Sequence, residues 1–352
     1  MKKIAIVIAD LDLGGGQRVA INLANALAKS SEVSIVIFQD DNIHYKAPDK
    51  LVHLNCPYKR NVLGKVSNVF KRAYKLRKFI KQEQFDHVFG FMESANFPTA
   101  MVFPNAALSV HCNPKEYSFF ESILVKLTYH RVKNIIAVSE DVVSILRNDY
   151  GLKNVSRIYN PVDIDDIVAQ VDKPYQHPRP YIVALGRFHE VKRYDLLINA
   201  FASSRMKQDC DLVIVGDGEL RTDLEAQVAE LKLQDKVHFV GTQSNPFPYL
   251  AGAKFITLSS RTEAFPMVLI EALALQCPVI ATDCPTGPRE IVEDGVNGLL
   301  VENENSEAFS KAMDQLFYDD VLHAKFKDNA IASIQHLSAE TISKEWLGLR
   351  NK

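Results

Sequence analysis

Short apolar runs rich in β-branched residues recur along the whole chain, and longer stretches with helical spacing of apolar positions lie between them. The runs at 4–9, 33–38, 51–54, 87–90, 107–110 and 135–138 predict one set of strands, and those at 181–185, 212–215, 237–240, 255–258, 278–281 and 299–301 predict a second. Strand and helix in alternation is the pattern of a parallel sheet covered by helices, so the fold class is α/β with two doubly wound domains. Residues 159–180, with four prolines and several aspartates, are expected to link them. Two such domains facing each other would put a ligand in the cleft between them, at the C-terminal ends of the strands.

The helical stretch 62–81 carries Val62, Val66, Val69, Ala73, Leu76 and Ile80 at spacings of three and four, a stripe for burial. Lys71, Lys75 and Lys78 share the opposite face, with Lys65, Arg72, Arg77 and Lys81 on its flanks and Phe70 and Tyr74 as extra apolar groups. Such a face is either merely solvated or attracted to anionic lipid headgroups and lipid-linked diphosphates, at about 1 kcal/mol per basic residue near a charged surface.

Charge sharpens this picture. The overall balance is −2, yet residues 1–160 hold 22 Lys and Arg against 14 Asp and Glu, while 161–352 hold 19 against 29. A basic first half and an acidic second half point to an anionic partner for the first, an anionic membrane surface rather than nucleic acid. No run reaches the roughly 18 apolar residues of a membrane span, and residues 2–9 meet Asp10 too soon for a leader. A cytoplasmic protein, peripheral at the inner face of the membrane, is expected. Five cysteines without CxxC spacing read as reduced thiols, not a zinc site.

The sharpest chemistry lies in SRTEAFPMVLIEAL, residues 260–273, where Glu263 and Glu271 stand eight residues apart. Pro266 suits the first turn of a helix, which is expected to start near Phe265. Glu263 then precedes the helix and Glu271 lies two turns in, roughly 9 to 12 Å away along the axis. The free N–H groups of Met267 and Val268 fall between them. This layout suits a ligand with an anionic middle and hydroxyl-rich ends, such as a nucleoside diphosphate sugar. Taken alone, the two glutamates could equally be solvated positions.

This stretch resembles the E-x7-E motif of retaining glycosyltransferases of family 4, which have the GT-B fold of two Rossmann-like domains. The resemblance implies that Glu263 lies against the transferred sugar and Glu271 holds the ribose, with Ala264, Phe265, Pro266, Met267 and Val268 lining the donor. Ala264 departs from the family's usual glycine. Gly186-Arg187-Phe188 with Lys192 is similar to the family's GR…K pattern, whose two cations grip the donor diphosphate. Gly216 in VIVGDGE, Val240 in FVG, and the TGPRE and DGVNG stretches at 286–290 and 294–298 extend the likeness. His111, at the end of a predicted strand, matches a family histidine close to the sugar. Gly15 and Gly16 open a helix after the first strand and match a loop that touches the diphosphate, although Gly16 and Gln17 depart from the usual GGAER. By the same resemblance the domains are 1–165 for the acceptor and 166–335 for the donor, with 336–352 packing back on the first.

Asp10-Leu11-Asp12 spells the DxD metal motif of another glycosyltransferase class but is read as loop. No metal or other cofactor is expected, Arg187 and Lys192 standing in for a cation. The expectation is a retaining glycosyltransferase acting from a nucleotide-sugar donor, uridine-linked, on a glycan or lipid-linked glycan of a surface polysaccharide. Two alternatives remain open. An NAD(P)-dependent dehydrogenase would use the partial G-x-G-x-x-G match at 14–19 with Asp40 or Asp41. An inactive GT-B binding module would be expected to lose Glu263, Arg187 or Lys192, and all three are present.

Overall fold

The run KKIAIVI forms β1 (Lys2–Ile8), and its last five residues are buried, as the middle strand of a sheet covered on both faces requires. The computed structural model describes residues 1–39, 42–57 and 62–349, with the side chains of 62, 63 and 65 excepted. From β1 the chain continues through α1 (Gly15–Ala28), β2 (Ser31–Ile37), β3 (Lys50–His53), α2 (Val62–Glu83), β4 (His87–Phe91), α3 (Glu93–Val102), β5 (Ala107–Val110), α4 (Phe119–Thr128), β6 (Asn134–Ala137), α5 (Glu140–Asn148) and β7 (Val155–Arg157). The seven strands are parallel in the order β3-β2-β1-β4-β5-β6-β7, with Ile6 registered against Ile35 on one side and Phe89 on the other. Right-handed crossovers put α1 on one face and α2 to α5 on the other. Strand order reverses beside β1, so the loops after β1 and β4 meet at a switch point.

The second unit starts with α6 (Ile164–Ala169) and continues with β8 (Tyr181–Leu185), α7 (Tyr194–Ser203), β9 (Asp211–Val215), α8 (Arg221–Glu230), β10 (Val237–Gly241), α9 (Phe247–Gly252), β11 (Ile256–Leu258), α10 (Met267–Ala274), β12 (Val279–Thr282), β13 (Gly298–Val301), α11 (Ser306–Tyr318) and α12 (Asp320–Ile334). Its six strands are again parallel, in the order β10-β9-β8-β11-β12-β13. Phe188, Phe201, Phe255, Phe309 and Phe326 are fully buried and fill its core.

The chain then returns to the first unit. Val162 and residues 337–339 exchange backbone hydrogen bonds of 2.9 Å, and α13 (Ala339–Gly348) lays Trp346 on Phe89 and Phe91, ring centroids 4.8 and 5.5 Å away. The two compact units are therefore Met1–Val162 with the segment from Leu337, and Asp163–His336.

Two elements differ from the pattern-based reading. The predicted link 159–180 contains α6, whose N-terminus is capped by the Asp163 side chain accepting from Asp166 N. Its later part is tied down by Tyr175, stacked on Tyr249 with centroids 4.3 Å apart. The edge strand β7, sequence VSR, has one buried residue and no apolar run to betray it.

Candidate active site

Three loops leave the C-terminal ends of β8, β9 and β10 in close contact. Gly186 N donates to Val215 O at 3.0 Å, Gly216 N to Gly241 O at 2.9 Å, and Phe188 N to Asp217 O at 2.9 Å. Gly216 has φ +144°, and a Cβ there would lie 2.0 Å from Gly186 O, so only glycine lets these loops close up. Val240 precedes this junction, its carbonyl accepting from Gln243 Nε2 at 2.9 Å. Arg187 leaves the first loop exposed, its Nη2 3.1 Å from Glu219 Oε2. A solvated pair of this kind is readily exchanged for an anionic ligand.

Lys192 and Glu263 come together in the same unit. Lys192 Nζ donates to Glu263 Oε1 at 2.6 Å, and Ser260 Oγ donates to the same oxygen at 2.6 Å. The backbone of Glu263 is fixed as well: its N–H donates to Pro285 O at 3.0 Å and its carbonyl accepts from Thr286 N at 3.2 Å. The carboxylate side chain is 11% exposed, and its second oxygen receives neither of these donors. Gly287 makes the tight pairing possible, since a Cβ on it would come within 2.5 Å of Ala264 O and its φ is +88°. Ala264 is not among the residues with positive φ, so alanine in place of the family's glycine brings no backbone strain.

The helix start needs correction. Pro266, with φ −71° and ψ 101°, is the extended N-cap residue and α10 begins at Met267, not near Phe265. Leu269 N donates back to Pro266 O at 3.1 Å, while the N–H groups of Met267 and Val268 take no backbone acceptor among the described residues. Phe265 and Met267 are buried, and so is Glu271, on the inner side of the helix.

In the first unit, α1 starts at Gly15, and Gly16 sits against Met92, whose sulfur would be 2.7 Å from a Cβ there. Gln17, the departure from the family loop, donates to Asp10 Oδ1 at 2.7 Å, and Gln39 donates to Asp10 Oδ2 at 3.1 Å. Asp12 caps Leu13 N at 2.7 Å. Asp10 is thus bonded by Gln17 of α1 and by Gln39 after β2, and Asp12 by the loop itself. Asp40 and Asp41 lie outside the described residues.

His111, just after β5, stacks on Phe91 with centroids 5.3 Å apart. Its Nε2 is buried without a hydrogen-bond partner, and burial lowers its pKa to about 4, so the ring is neutral at ordinary pH. Beside it the buried Glu93 accepts from Tyr117 OH and from Cys112 Sγ at 3.1 Å. Burial raises the Glu93 carboxyl, favouring its neutral form, with the Tyr117 bond opposing. Sequence reading missed Glu93 and Ser260. The signals were present: Glu93 lies three residues beyond a predicted strand end, and Ser260 three residues before Glu263.

The basic helix α2 is less uniform than its pattern implied. Lys71, Arg77, Lys78 and Lys81 are exposed, but Lys75 Nζ donates to Leu54 O at 2.7 Å and Asn55 O at 3.1 Å. Arg72 is not on the flank at all. It is buried, donates to Cys56 O and Ser94 O at 3.1 and 3.2 Å, and stacks on Phe38.

Among the described residues, one cluster could hold a metal: His177, Asp211 and His238, at the N-terminal ends of β9 and β10. Its carboxylate already faces Arg179 at 3.2 Å and Lys236 at 3.9 Å, and it lies at the opposite strand ends from Glu263. Those cations already offset the charge of the carboxylate.

The chain matches known proteins along its length. Residues 13–166 match the family described as Glycosyltransferase Family 4, and residues 168–333 match Glycosyl transferases group 1. A Campylobacter jejuni enzyme, N-acetylgalactosamine-N,N'-diacetylbacillosaminyl-diphospho-undecaprenol 4-alpha-N-acetylgalactosaminyltransferase, is 30% identical over 94% of each chain. A second alpha-1,4-N-acetyl-D-galactosaminyltransferase of that organism, named for a diNAcBac-PP-undecaprenol-linked glycan, is 26% identical over 99% of this chain and 98% of its own. In fold, Anabaena HepE in complex with UDP-glucose superposes with a TM-score of 0.81 at 20% identity, covering 99% of each. These matches replace the dehydrogenase alternative: the chain belongs to the glycosyltransferases, with a family 4 first domain and a group 1 second domain on the GT-B fold.

Proposed function

We propose that this glycosyltransferase is retaining and metal-independent, and moves a sugar from a UDP-linked donor to a lipid-linked glycan during bacterial surface glycan assembly at the inner face of the cytoplasmic membrane. The observation that carries the reading is the Glu263 carboxylate, held by Lys192 and Ser260 just ahead of the open amides of α10. In this account the Met267 and Val268 amides, Lys192 and Arg187 receive the diphosphate and stabilise the charge that grows on it as the sugar leaves. Lys192, already bonded to the carboxylate, would serve both groups. The leaving oxygen takes the acceptor's proton on the face from which it departs. His111, a neutral ring whose buried Nε2 has no partner, is the first unit's candidate for bonding a sugar hydroxyl. The undecaprenol-linked acceptors in the names of the Campylobacter relatives and the UDP-glucose bound to HepE favour these substrate classes.

The test separates the two glutamates. Calorimetry with UDP on Glu271→Ala and Glu263→Ala should show weakened UDP binding in the first. The second should bind UDP like the wild type yet lose transfer from UDP-sugars to a lipid-linked acceptor. Equal loss of UDP binding in both would refute the assignment.

A further inference from the structure

We propose that α4 is an interfacial anchor, whose Phe119, Ile123 and Leu127 enter the headgroup boundary of an anionic bilayer. The proposal sharpens the lipid-linked acceptor reading and rests on it for its purpose. Phe119 is 84% exposed, Leu127 62% and Ile123 39%. Spacing of four places all three on one face of the helix. The core-facing side is already supplied by Val125 and Thr128, both buried, so this stripe is surplus to folding. Single exposed apolar residues are ordinary, whereas three in line on one helix mark an interaction surface.

Charge identifies the partner. Lys115, Lys126, Arg131 and Lys133 around the stripe are exposed, and of the two acids in this stretch Glu121 is held by Ser118 in a capping box. An apolar stripe edged by cations matches acidic headgroups around it and acyl chains beneath it. A second copy of the chain would bring like charges face to face. Helix α2 adds a second contact in the same layer, with Phe70 59% and Tyr74 72% exposed among Lys71, Arg77, Lys78 and Lys81. Helix α3, packed against both, is almost wholly buried, which leaves α2 and α4 as the outer helices.

Co-sedimentation with vesicles of phosphatidylcholine alone and with added phosphatidylglycerol tests this on the full chain. Phe119→Ser/Leu127→Ser should lose about 30-fold or more in affinity for the anionic vesicles, from two apolar side chains no longer transferred. It should also lose the part of binding that survives high salt, and keep the wild-type melting midpoint. Lys71→Gln/Lys78→Gln should lose only the salt-sensitive part. Wild-type vesicle binding by the serine variant would overturn the proposal. So would a self-association, seen by analytical ultracentrifugation, that the serine variant abolishes while vesicle binding stays intact. Binding is read without turnover, so a wild type that sediments with vesicles yet transfers no sugar would count against the proposed reaction alone.

Discussion

Lys192 and Glu263 stand 71 positions apart in the chain, and each was readable as a candidate from its own motif. Their mutual bond was not readable, because it depends on the β8 and β11 loops lying side by side, which no spacing encodes. The bond makes the two side chains one unit. Lys192→Ala should lower transfer by about 100-fold or more, as for removal of one charge donor at the transition state. It also strips the carboxylate of its cation, so the Lys192→Ala/Glu263→Gln cycle should be far from additive. Steady-state kinetics on the four proteins checks this, and independent effects would count against a shared role. His111 gives a second residue-scale test. An imidazole with a depressed pKa is protonated first in the unfolded chain, so its contribution is complete above about 6.5 and is lost as pH falls toward 4. The loss is at most about 3 kcal/mol. Urea unfolding should find wild type losing more stability than His111→Gln between pH 7 and 4. Glu93, whose raised pKa acts in the opposite sense, is present in both proteins. Parallel pH profiles would contradict the buried neutral ring.

At the scale of elements, the short apolar runs and the period-3.6 pattern located the strands and the long helix α2, but not what its cations do. Ala73, Leu76 and Ile80 are buried as the stripe requires. Helical spacing put Lys75 with Lys71 and Lys78, yet the strand end at Leu54 and Asn55 lies within reach of Lys75 and takes its ammonium. Arg72 was drawn inward by carbonyls of two other segments, Cys56 and Ser94, which a helical wheel cannot show. Lys75→Gln should therefore cost about 1 kcal/mol of stability through the lost charged hydrogen bonds. Lys71→Gln and Lys78→Gln should cost almost nothing, since Gln is a good helix former. Chemical denaturation of the three variants decides this, and equal midpoints would contradict it. Helix α6 and strand β7 escaped sequence reading for a simpler reason: one is six residues in a proline-bearing link, the other three residues with a polar centre.

For the whole molecule, two parallel sheets built by repeated strand and helix alternation were legible because buried parallel strands must be apolar throughout. The return of α13 to the first unit depends on Trp346 meeting Phe89 and Phe91, contacts more than 250 positions distant in sequence. Composition could indicate only that a helix was there. The central claim concerns the reaction these two domains carry: transfer with retention, driven by fixed protein cations and amides. Its most direct measurement is the anomeric configuration of the product, read by nuclear magnetic resonance after transfer from a UDP-sugar to a lipid-linked acceptor in excess EDTA. The account predicts transfer undiminished by the chelator, with the donor's α configuration kept in the new bond. An inverted β linkage, or activity abolished by EDTA and restored by manganese, would contradict it.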